Sequence, residues 1–294
     1  MNFRGVVQTL LRRKRQVEKS FYLYVYARVN RRSCQSIVNP GGPVVSLTTY
    51  GERTQRVYLA IESIGRGRLL PSRMILWLDD ANFAAHLPVE LERLQSRGLE
   101  IKVCPNYGPH KKYYPYVESQ NDFEAPLVTA DDDIFYPRQW LRRLYDAYLH
   151  TPEHVHCFRA RRMHITCDGI APYASWEILR DTRPSYLNLA TGCAGIIYPE
   201  PLLRKIKQQG TAFRAACPRA DDLWLHVQAL RAGYRVHQIV KNEFFLCEIP
   251  GTQANALYRQ NFDDGNDRQI QTTYGVQDLE LLQQEAEREH SSKL

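Results

Sequence analysis

The sequence predicts an α/β fold with a central, mostly parallel sheet flanked by helices. Three short apolar segments, over residues 44–50, 73–79 and 127–130, have the length and composition of buried strands. Segments with helical spacing of apolar residues separate them, and strands that alternate with helices form parallel sheets. The 294 residues are 44% hydrophobic and 24% charged, which suits one large globular unit and excludes a disordered chain.

Helical spacing is clearest just after the first predicted strand. Val57, Ala60, Ile61 and Ile64 share one helix face, which predicts a crossover helix over 54–64. The remaining predictions, in chain order, are a helix over 87–97, a strand over 99–104, a loop over 105–116, a helix over 140–149, a strand over 155–166, an irregular aromatic stretch over 169–190, a strand over 192–198, helices over 201–209 and 221–232, strands over 235–240 and 244–247, and a helix over 277–290.

Three segments divide the chain. Residues 1–40 are a basic N-terminal extension whose mixture of arginines, lysines and apolar residues fits a helix on an anionic membrane surface. A solvated helix docked on the domain fits this composition equally well. A Pro-Gly-Gly-Pro breaker at 40–43 then opens the predicted catalytic domain, 41–250, and a polar, partly helical tail follows over 251–294.

Charge and cysteine content narrow the location and the partners. The formal net charge of +7 favours anionic partners. Seven scattered cysteines without a C-x-x-C pair fit a reducing compartment. The chain shows neither a signal-peptide pattern nor an apolar segment long enough to span a membrane. We therefore expect a cytoplasmic protein, peripheral on the inner membrane face if the basic extension binds lipid.

Three consecutive carboxylates, Asp131, Asp132 and Asp133, directly follow the strand at 127–130. Adjacent acids repel one another and are costly to hold at a sheet end unless a cation or hydrogen-bond donors neutralise them. Carboxylate oxygens suit Mg²⁺ or Mn²⁺, and such an ion can bridge a diphosphate to the protein. An acidic solvated turn that caps the next helix is the alternative.

This triplet resembles the Asp-x-Asp motif of the GT-A nucleotide-sugar glycosyltransferases, and more loosely the bacterial enzymes of lipopolysaccharide and capsule assembly. The order of elements over residues 44–250 agrees with that resemblance. It implies a Mn²⁺ or Mg²⁺ cofactor. It also implies that Asp131 contacts the donor ribose or the metal shell and that Asp133 binds the metal at the diphosphate, while Asp132 could exchange places with either.

The ends of the first two strands offer candidates for nucleotide binding. Residues 46–53 resemble the GT-A loop that receives the base, and they include Thr48, Tyr50 and Arg53. Tyr50 is a candidate to stack on a uracil-like ring, and Arg53 to meet a base carbonyl or a phosphate. Asp79 ends the second strand, where this fold commonly has an acid near the ribose. Packing on the sheet edge and helix capping are the alternatives.

Two further segments have the composition of a diphosphate and sugar site. The loop over 105–116 contains Lys111 and Lys112, whose ammonium groups suit a diphosphate, with Lys112 preferred. Gly192 lies in a run of small residues that permits close approach of a ligand to the backbone. This run resembles the GT-A segment that lines the donor sugar and the acceptor. A solvated basic turn and a plain turn are the respective alternatives.

A second acidic pair, Asp221 and Asp222, opens a predicted helix about ninety residues after the triplet. In inverting GT-A enzymes an acidic pair at this place supplies the general base, so the resemblance makes Asp222 the first candidate and Asp221 the second. Helix capping, which contributes about 1 kcal/mol, is the alternative. His237 stands where some metal-dependent GT-A enzymes have a third protein ligand, although a lone histidine is usually structural.

These residues and the resemblance together predict a metal-dependent glycosyltransferase, with inversion preferred over retention. The resemblance implies a nucleotide diphosphate sugar as donor, with uridine as the family's expectation, and, with the basic N-terminus, a glycan or a lipid-linked glycan as acceptor. A metal-dependent phosphodiesterase or nuclease is the alternative enzyme, because clustered aspartates also serve two-metal hydrolysis. A nucleic-acid-binding protein is the other alternative, but no RRM, KH or helix-turn-helix pattern is present, so we expect no nucleic acid partner.

Overall fold

The strands at the centre of the fold are short and apolar. The computed structural model describes residues 3–242, 246–252 and 265–291, with side chains from residue 13 onward. The strands in these ranges are β1 (Val44–Thr48), β2 (Arg73–Leu78), β3 (Leu99–Val103), β4 (Leu127–Ala130), β5 (Ile134–Phe135), β6 (His154–Cys157), β7 (Ala160–Arg162), β8 (Ile165–Thr166), β9 (Gly169–Ile170), β10 (Glu177–Ile178), β11 (Asn188–Ala190), β12 (Ile196–Tyr198), β13 (Arg235–Gln238) and β14 (Cys247–Glu248).

Helices connect and cover these strands. They are α1 (Phe3–Arg32), α2 (Val57–Gly65), α3 (Ala81–Ala85), α4 (Val89–Gln95), α5 (Tyr114–Ser119), α6 (Trp140–His150), α7 (Glu200–Gln208), α8 (Phe213–Ala216), α9 (Asp221–Arg231), α10 (Gly265–Thr273) and α11 (Val276–Ser291). Short 3-10 helices cover Gly51–Gln55, Gly108–Lys112, Tyr173–Ser175 and Gly192–Ala194. Among the described helices, none combines the length and the apolar character needed to cross a membrane.

Seven of these strands form one sheet, in the order β13-β6-β12-β4-β1-β2-β3. β1 pairs in parallel with β2 and β4, β2 with β3, and β6 with β13, whereas β12 runs antiparallel between β4 and β6. The predicted fold class, α/β with a mostly parallel sheet flanked by helices, is therefore confirmed. The carboxyl ends of β1, β2 and β4 open on one edge, where ligands bind in sheets of this kind.

Apolar side chains cover both faces of the sheet. Successive side chains of a strand point to opposite faces, so Val44 of β1 packs into one cluster and Val45 into the other. α2 and α6 cover the face of Val45, and α7 and α9 cover the face of Val44. β1 is buried on both faces, and its two polar residues, Ser46 and Thr48, have their hydroxyl groups hydrogen-bonded to Trp77 of β2.

Some predicted elements differ from the observed ones. The strand expected over 155–166 is divided into β6, β7 and β8, because the chain leaves the central sheet after β6 and joins a small sheet with β10 and β11. The strand expected over 192–198 begins with a 3-10 helix instead. Gly195 ends that turn at φ +87°, and a Cβ there would lie 2.4 Å from the Trp140 ring. Residues 244 and 245 of the strand expected over 244–247 lie outside the described residues.

Both ends of the chain pack on the domain. In α1, the Tyr22 and Tyr26 rings lie 5.5 and 5.6 Å from the Phe135 ring. The Asn30 side chain donates a hydrogen bond to the buried Glu62 carboxylate, at 3.0 Å. At the other end, α10 and α11 pack on α9, and Leu282 is fully buried in the core.

Candidate active site

Arg53 and Thr49 neutralise the middle aspartate of the triplet. Asp132 is 4% exposed, and its two carboxylate oxygens accept hydrogen bonds from Thr49 Oγ1 at 2.6 Å and from Arg53 Nη1 at 2.9 Å. Burial raises the pKa of Asp132, and Arg53 and Thr49 oppose this effect. Arg53 Nη2 also lies 3.2 Å from Asp133 Oδ2, so one guanidinium bridges two carboxylates at the carboxyl end of β4.

Lys112 links the two acidic segments. Its Nζ lies 2.5 Å from Asp131 Oδ1 and 3.8 Å from Asp221 Oδ2. Burial acts to lower the pKa of Lys112, but Asp131, Asp221 and Asp222 outweigh it and hold that pKa well above its usual value. The ammonium group therefore stays charged at the point where the residue after β4 meets the start of α9.

Asp222 bonds across the site rather than capping its own helix. The Gly192 N–H donates to both of its carboxylate oxygens, at 3.1 Å each, and α9 has no side-chain cap. Burial, and next the neighbouring Asp221, raise the pKa of Asp222 to about 7. Burial also raises the pKa of Asp221. A carboxylate that exchanges its proton near neutral pH is suited to general base chemistry.

Four predicted donor-binding residues, Thr48, Tyr50, Asp79 and Lys111, lie around the ends of β1 and β2. Thr48 Oγ1 donates to the Trp77 carbonyl at 2.9 Å, within the sheet. Lys111 Nζ lies 2.7 Å from Asp79 Oδ2, so the two adjacent lysines reach different acids. Tyr50 is partly exposed, and the Arg53 guanidinium lies 5.5 Å from the centre of its ring.

His237 lies apart from the aspartates. It belongs to β13, where its Nδ1 is 2.9 Å from Nδ1 of His156. The sheet order places β6 and β12 between β13 and β4, which amounts to roughly 14 Å across the sheet at the usual strand spacing. The structure brings together Arg53, Lys112 and the two acidic segments, and it does not bring His237 to them.

Sequence reasoning missed Thr49 and Arg159. Thr49 directly follows β1, so its position at a strand end was the signal that could have identified it. Arg159 follows β6, and its Nη1 donates to Thr191 Oγ1 at 3.1 Å and to Cys193 Sγ at 3.6 Å. It borders the site on the side of Gly192, away from the ends of β1 and β2.

Comparison with known proteins gives structural matches only. Neither a protein-family model nor a curated protein sequence matches the chain. The chain is similar to TarS 1–349 of S. aureus in complex with UDP, at 14% identity and a TM-score of 0.45, over 70% of this chain and 59% of that one. It is also similar to the mannosyltransferase PcManGT of Pyrobaculum calidifontis in complex with GDP-Man and Mn²⁺, at 11% identity and a TM-score of 0.44, over 79% and 65%.

A third match is CMP:2-keto-3-deoxy-manno-octonic acid synthetase complexed with CTP, at 13% identity and a TM-score of 0.39, over 67% of this chain and 88% of that one. The chain thus spans 59% of TarS 1–349 and 65% of the mannosyltransferase, less than two thirds of either. Similarity at this level assigns no function. Function has to be inferred from the site residues.

The site fits a divalent cation by charge and by ligand chemistry. The carboxylates of the triplet and of the pair Asp221 and Asp222 lie around two basic side chains, Arg53 and Lys112. Five acidic groups therefore face two basic ones, and negative charge is in excess. Among the residues that the structure describes, no three His, Cys, Asp or Glu side chains are grouped to hold a metal. Mg²⁺ and ions like it are usually held by one or two carboxylates together with phosphate oxygens and water. Asp131 and Asp133 could supply such a pair.

Proposed function

We propose that this chain is an inverting glycosyltransferase that moves a sugar from a nucleotide diphosphate donor, with UDP-sugars favoured, to a glycan or lipid-linked glycan. The observation that carries the proposal is the meeting of Asp131 and Asp221, about ninety residues apart in sequence, at the Lys112 ammonium. That meeting point lies at the carboxyl edge of a parallel sheet, where such folds bind ligands. Sugar transfer needs a phosphate site and a base side by side.

The donor nucleoside is assigned to the ends of β1 and β2. Tyr50 offers a partly exposed ring for the base, and Asp79 lies at the end of the neighbouring strand for the ribose. We assign Thr48 and Lys111 to positioning, because the first bonds to the sheet backbone and the second bonds to Asp79.

The diphosphate is assigned to Lys112 and Arg53, whose cationic groups lie on either side of the triplet. Both can donate charge-assisted hydrogen bonds to phosphate oxygens. A Mn²⁺ or Mg²⁺ ion held by Asp131 and Asp133 would offset the negative charge of the leaving diphosphate. Asp132 would keep Arg53 in place, since both of its oxygens are bonded to Thr49 and Arg53.

Asp222 is assigned as the general base. The acceptor hydroxyl oxygen forms a bond to the anomeric carbon while the bond from that carbon to the diphosphate oxygen breaks. The hydroxyl proton passes to a carboxylate oxygen of Asp222, and Asp221 is the second candidate. A pKa of about 7 suits this role, because a base works best when its pKa lies near the working pH. The Gly192 N–H fixes the orientation of the carboxylate.

Two-metal hydrolysis, the alternative chemistry, is not favoured. Such sites place carboxylates between two ions about 4 Å apart. Here the oxygens of Asp132 are occupied by Thr49 and Arg53, and Lys112 fills the space between Asp131 and Asp221. His237 is left out of the proposed metal site because of its position on β13.

We propose a cytoplasmic location, with the acceptor at the inner face of the membrane. All seven cysteines are free thiols, which suits a reducing compartment. A surface polysaccharide of the lipopolysaccharide or capsule type is the expected class of product.

Ligand-dependent thermal stability tests this function. UDP-, GDP-, CMP- and dTDP-sugars are each added with Mn²⁺, with Mg²⁺ or with EDTA. One nucleotide is expected to raise the melting temperature by about 5 °C at saturation, and only with metal. Asp133→Asn should abolish the shift, whereas Asp146→Asn on the exposed face of α6 should retain it. A shift that persists in EDTA rejects the metal, and a shift with single-stranded nucleic acid alone rejects the transferase.

A further inference from the structure

The net positive charge of the chain comes from its first 32 residues. They contain nine Lys or Arg and one acid, Glu18. Subtracting these from the 39 basic and 32 acidic residues of the whole chain leaves 30 and 31. The rest of the protein is therefore nearly neutral, and the excess of positive charge that favours anionic partners belongs to the segment that forms α1.

One face of α1 packs on the domain. Tyr26 and Asn30 are buried on this face, and Tyr22 and Tyr26 contact the Phe135 ring. Lys19 belongs to the same side, where its Nζ lies 3.6 Å from Glu248. This face alone accounts for the docking of the helix.

The opposite face of α1 exposes apolar side chains. Val17, Phe21 and Tyr24 are 68%, 60% and 65% exposed, and their spacing of four and three residues places them in one row along the helix. We call this row and the basic residues beside it the outward face. Its basic members, all exposed, are Arg13, Lys14, Arg28, Arg31 and Arg32.

We infer that the outward face of α1 binds an anionic lipid bilayer, with the helix axis parallel to the membrane plane. Apolar side chains flanked by lysines and arginines match the boundary between acyl chains and anionic headgroups. A nucleic acid would use the basic residues but leave Val17 and Phe21 in water. A second copy of the chain, docked through the same face, would place its five basic residues against the five of the first copy, and these like charges would repel one another.

This inference adds to the proposed function the position of the acceptor at the membrane, and that part of it rests on the proposed function. Lipid binding itself is measured without donor or acceptor. The two proposals can therefore fail separately. Loss of vesicle binding with an intact donor-induced thermal shift rejects lipid binding alone. Loss of that shift with intact vesicle binding rejects the transferase alone.

Vesicle flotation of the full chain tests the inference. Wild type is mixed with phosphatidylcholine vesicles, with or without 30% phosphatidylglycerol, at physiological salt. We expect binding to the anionic vesicles only. The triple variant Val17→Ser, Phe21→Ser, Tyr24→Ser should lower the partition coefficient at least tenfold. The triple variant Arg28→Gln, Arg31→Gln, Arg32→Gln should lower it by roughly a hundredfold.

Matched variants elsewhere on the surface serve as controls. Val103→Ser, Leu149→Ser, Val276→Ser removes three apolar side chains that are between 51% and 72% exposed on β3, α6 and α11. Lys205→Gln, Lys241→Gln, Arg268→Gln removes three exposed charges. Both controls should bind vesicles as wild type does. Equal losses in the controls and in the α1 variants would overturn the assignment of the face.

Site-specific fluorescence gives a second measurement that does not need a loss of binding. The four native tryptophans are buried. Phe21→Trp should therefore show a blue shift and quenching by brominated lipid on anionic vesicles, and Leu149→Trp should show neither. Any one of four results would reject lipid as the occupant. Phe21→Trp shows neither effect, or neutral vesicles are bound as strongly as anionic ones. Alternatively, single-stranded RNA is bound in place of vesicles, or the apolar triple variant abolishes a dimer.

Discussion

The backbone N–H of Gly192 donates to both carboxylate oxygens of Asp222, at 3.1 Å each, although the two residues are 30 positions apart. This contact joins the turn before β12 to the first turn of α9. It fixes the orientation of a carboxylate whose pKa is raised to about 7 by burial and by Asp221. The orientation and the basicity of the proposed base thus have separate causes, which can be changed separately.

Gly192→Ala tests the orientation. A Cβ at this position would lie 3.0 Å from Asp222 Oδ1 and 3.3 Å from Lys112 Nζ, so these side chains must move by a few tenths of an ångström. We expect a loss of kcat of about tenfold or more, because small misplacements of a catalytic group are costly. The melting temperature should change little. Gly275→Ala is the control, since its Cβ would make only an ordinary contact, at 3.8 Å from Asp278 Oδ2. Equal kcat in the two variants contradicts the role of Gly192.

Asp222→Asn tests the identity of the base. General base catalysis contributes about 10²- to 10⁴-fold, so kcat should fall by that factor while the donor-induced thermal shift persists. Asp221→Asn should lower kcat less, because its carboxylate lies on the Lys112 side. If Asp222→Asn retains full turnover, the base lies elsewhere.

The pH dependence of turnover follows from the pKa of Asp222. The base must be unprotonated, so kcat/KM should fall about tenfold per pH unit below pH 7 and level off above it. The inflection should be absent from the residual activity of Asp222→Asn. A profile that is flat from pH 5 to pH 8 excludes Asp222 as the titrating group.

The same pKa predicts an effect on stability. Because the folded protein holds the Asp222 proton to about pH 7 and the unfolded chain releases it near 3.8, stability is lost as pH rises between these values. Asp222→Asn should therefore raise the free energy of unfolding at pH 8 relative to wild type, and less so at pH 5. Urea unfolding at both values measures this difference. If Asp222→Asn lowers the free energy of unfolding equally at pH 5 and pH 8, the charged Asp222 carboxylate does not destabilise the folded protein.

Arg53 should contribute to stability as well as to phosphate binding. Arg53→Ala leaves the buried Asp132 carboxylate without its cation, which typically costs about 3 kcal/mol. Arg53→Lys should not restore the loss, because a lysine cannot reach two carboxylates with a planar fork. Arg53→Ala with Asp132→Asn should recover part of it, since the buried charge is then absent. Urea unfolding measures the free energy of unfolding of these variants. A double variant that is no more stable than Arg53→Ala contradicts a stabilising pair between Arg53 and Asp132.

The strands whose carboxyl ends form the candidate site could be predicted from sequence because they are buried on both faces. β1 and β4 are short runs of mainly apolar and β-branched residues, so their ends were predictable to within two residues. The same reasoning failed over 155–166, where the predicted single strand is divided because the chain changes sheets after β6. Local sequence contains no information about which partner strand a residue meets.

Side-chain pairing at the site could not be read from the sequence. Lys111 and Lys112 are adjacent, yet one meets Asp79 and the other Asp131. They lie in a 3-10 helix, in which successive side chains point about 120° apart. The position of His237 depended in the same way on the order of strands in the sheet, which its neighbours in sequence do not specify.

The packing of Tyr22 and Tyr26 against Phe135 has a consequence for the choice of acceptor. Phe135 is two residues beyond Asp133, so this contact ties the position of α1 to the segment that carries the aspartates. A protein held to a bilayer through α1 would keep its reaction centre at a constant height above the lipid. Such an enzyme would select acceptors by length. Only an acceptor whose spacer reaches from the lipid anchor to that height would present its hydroxyl group to Asp222.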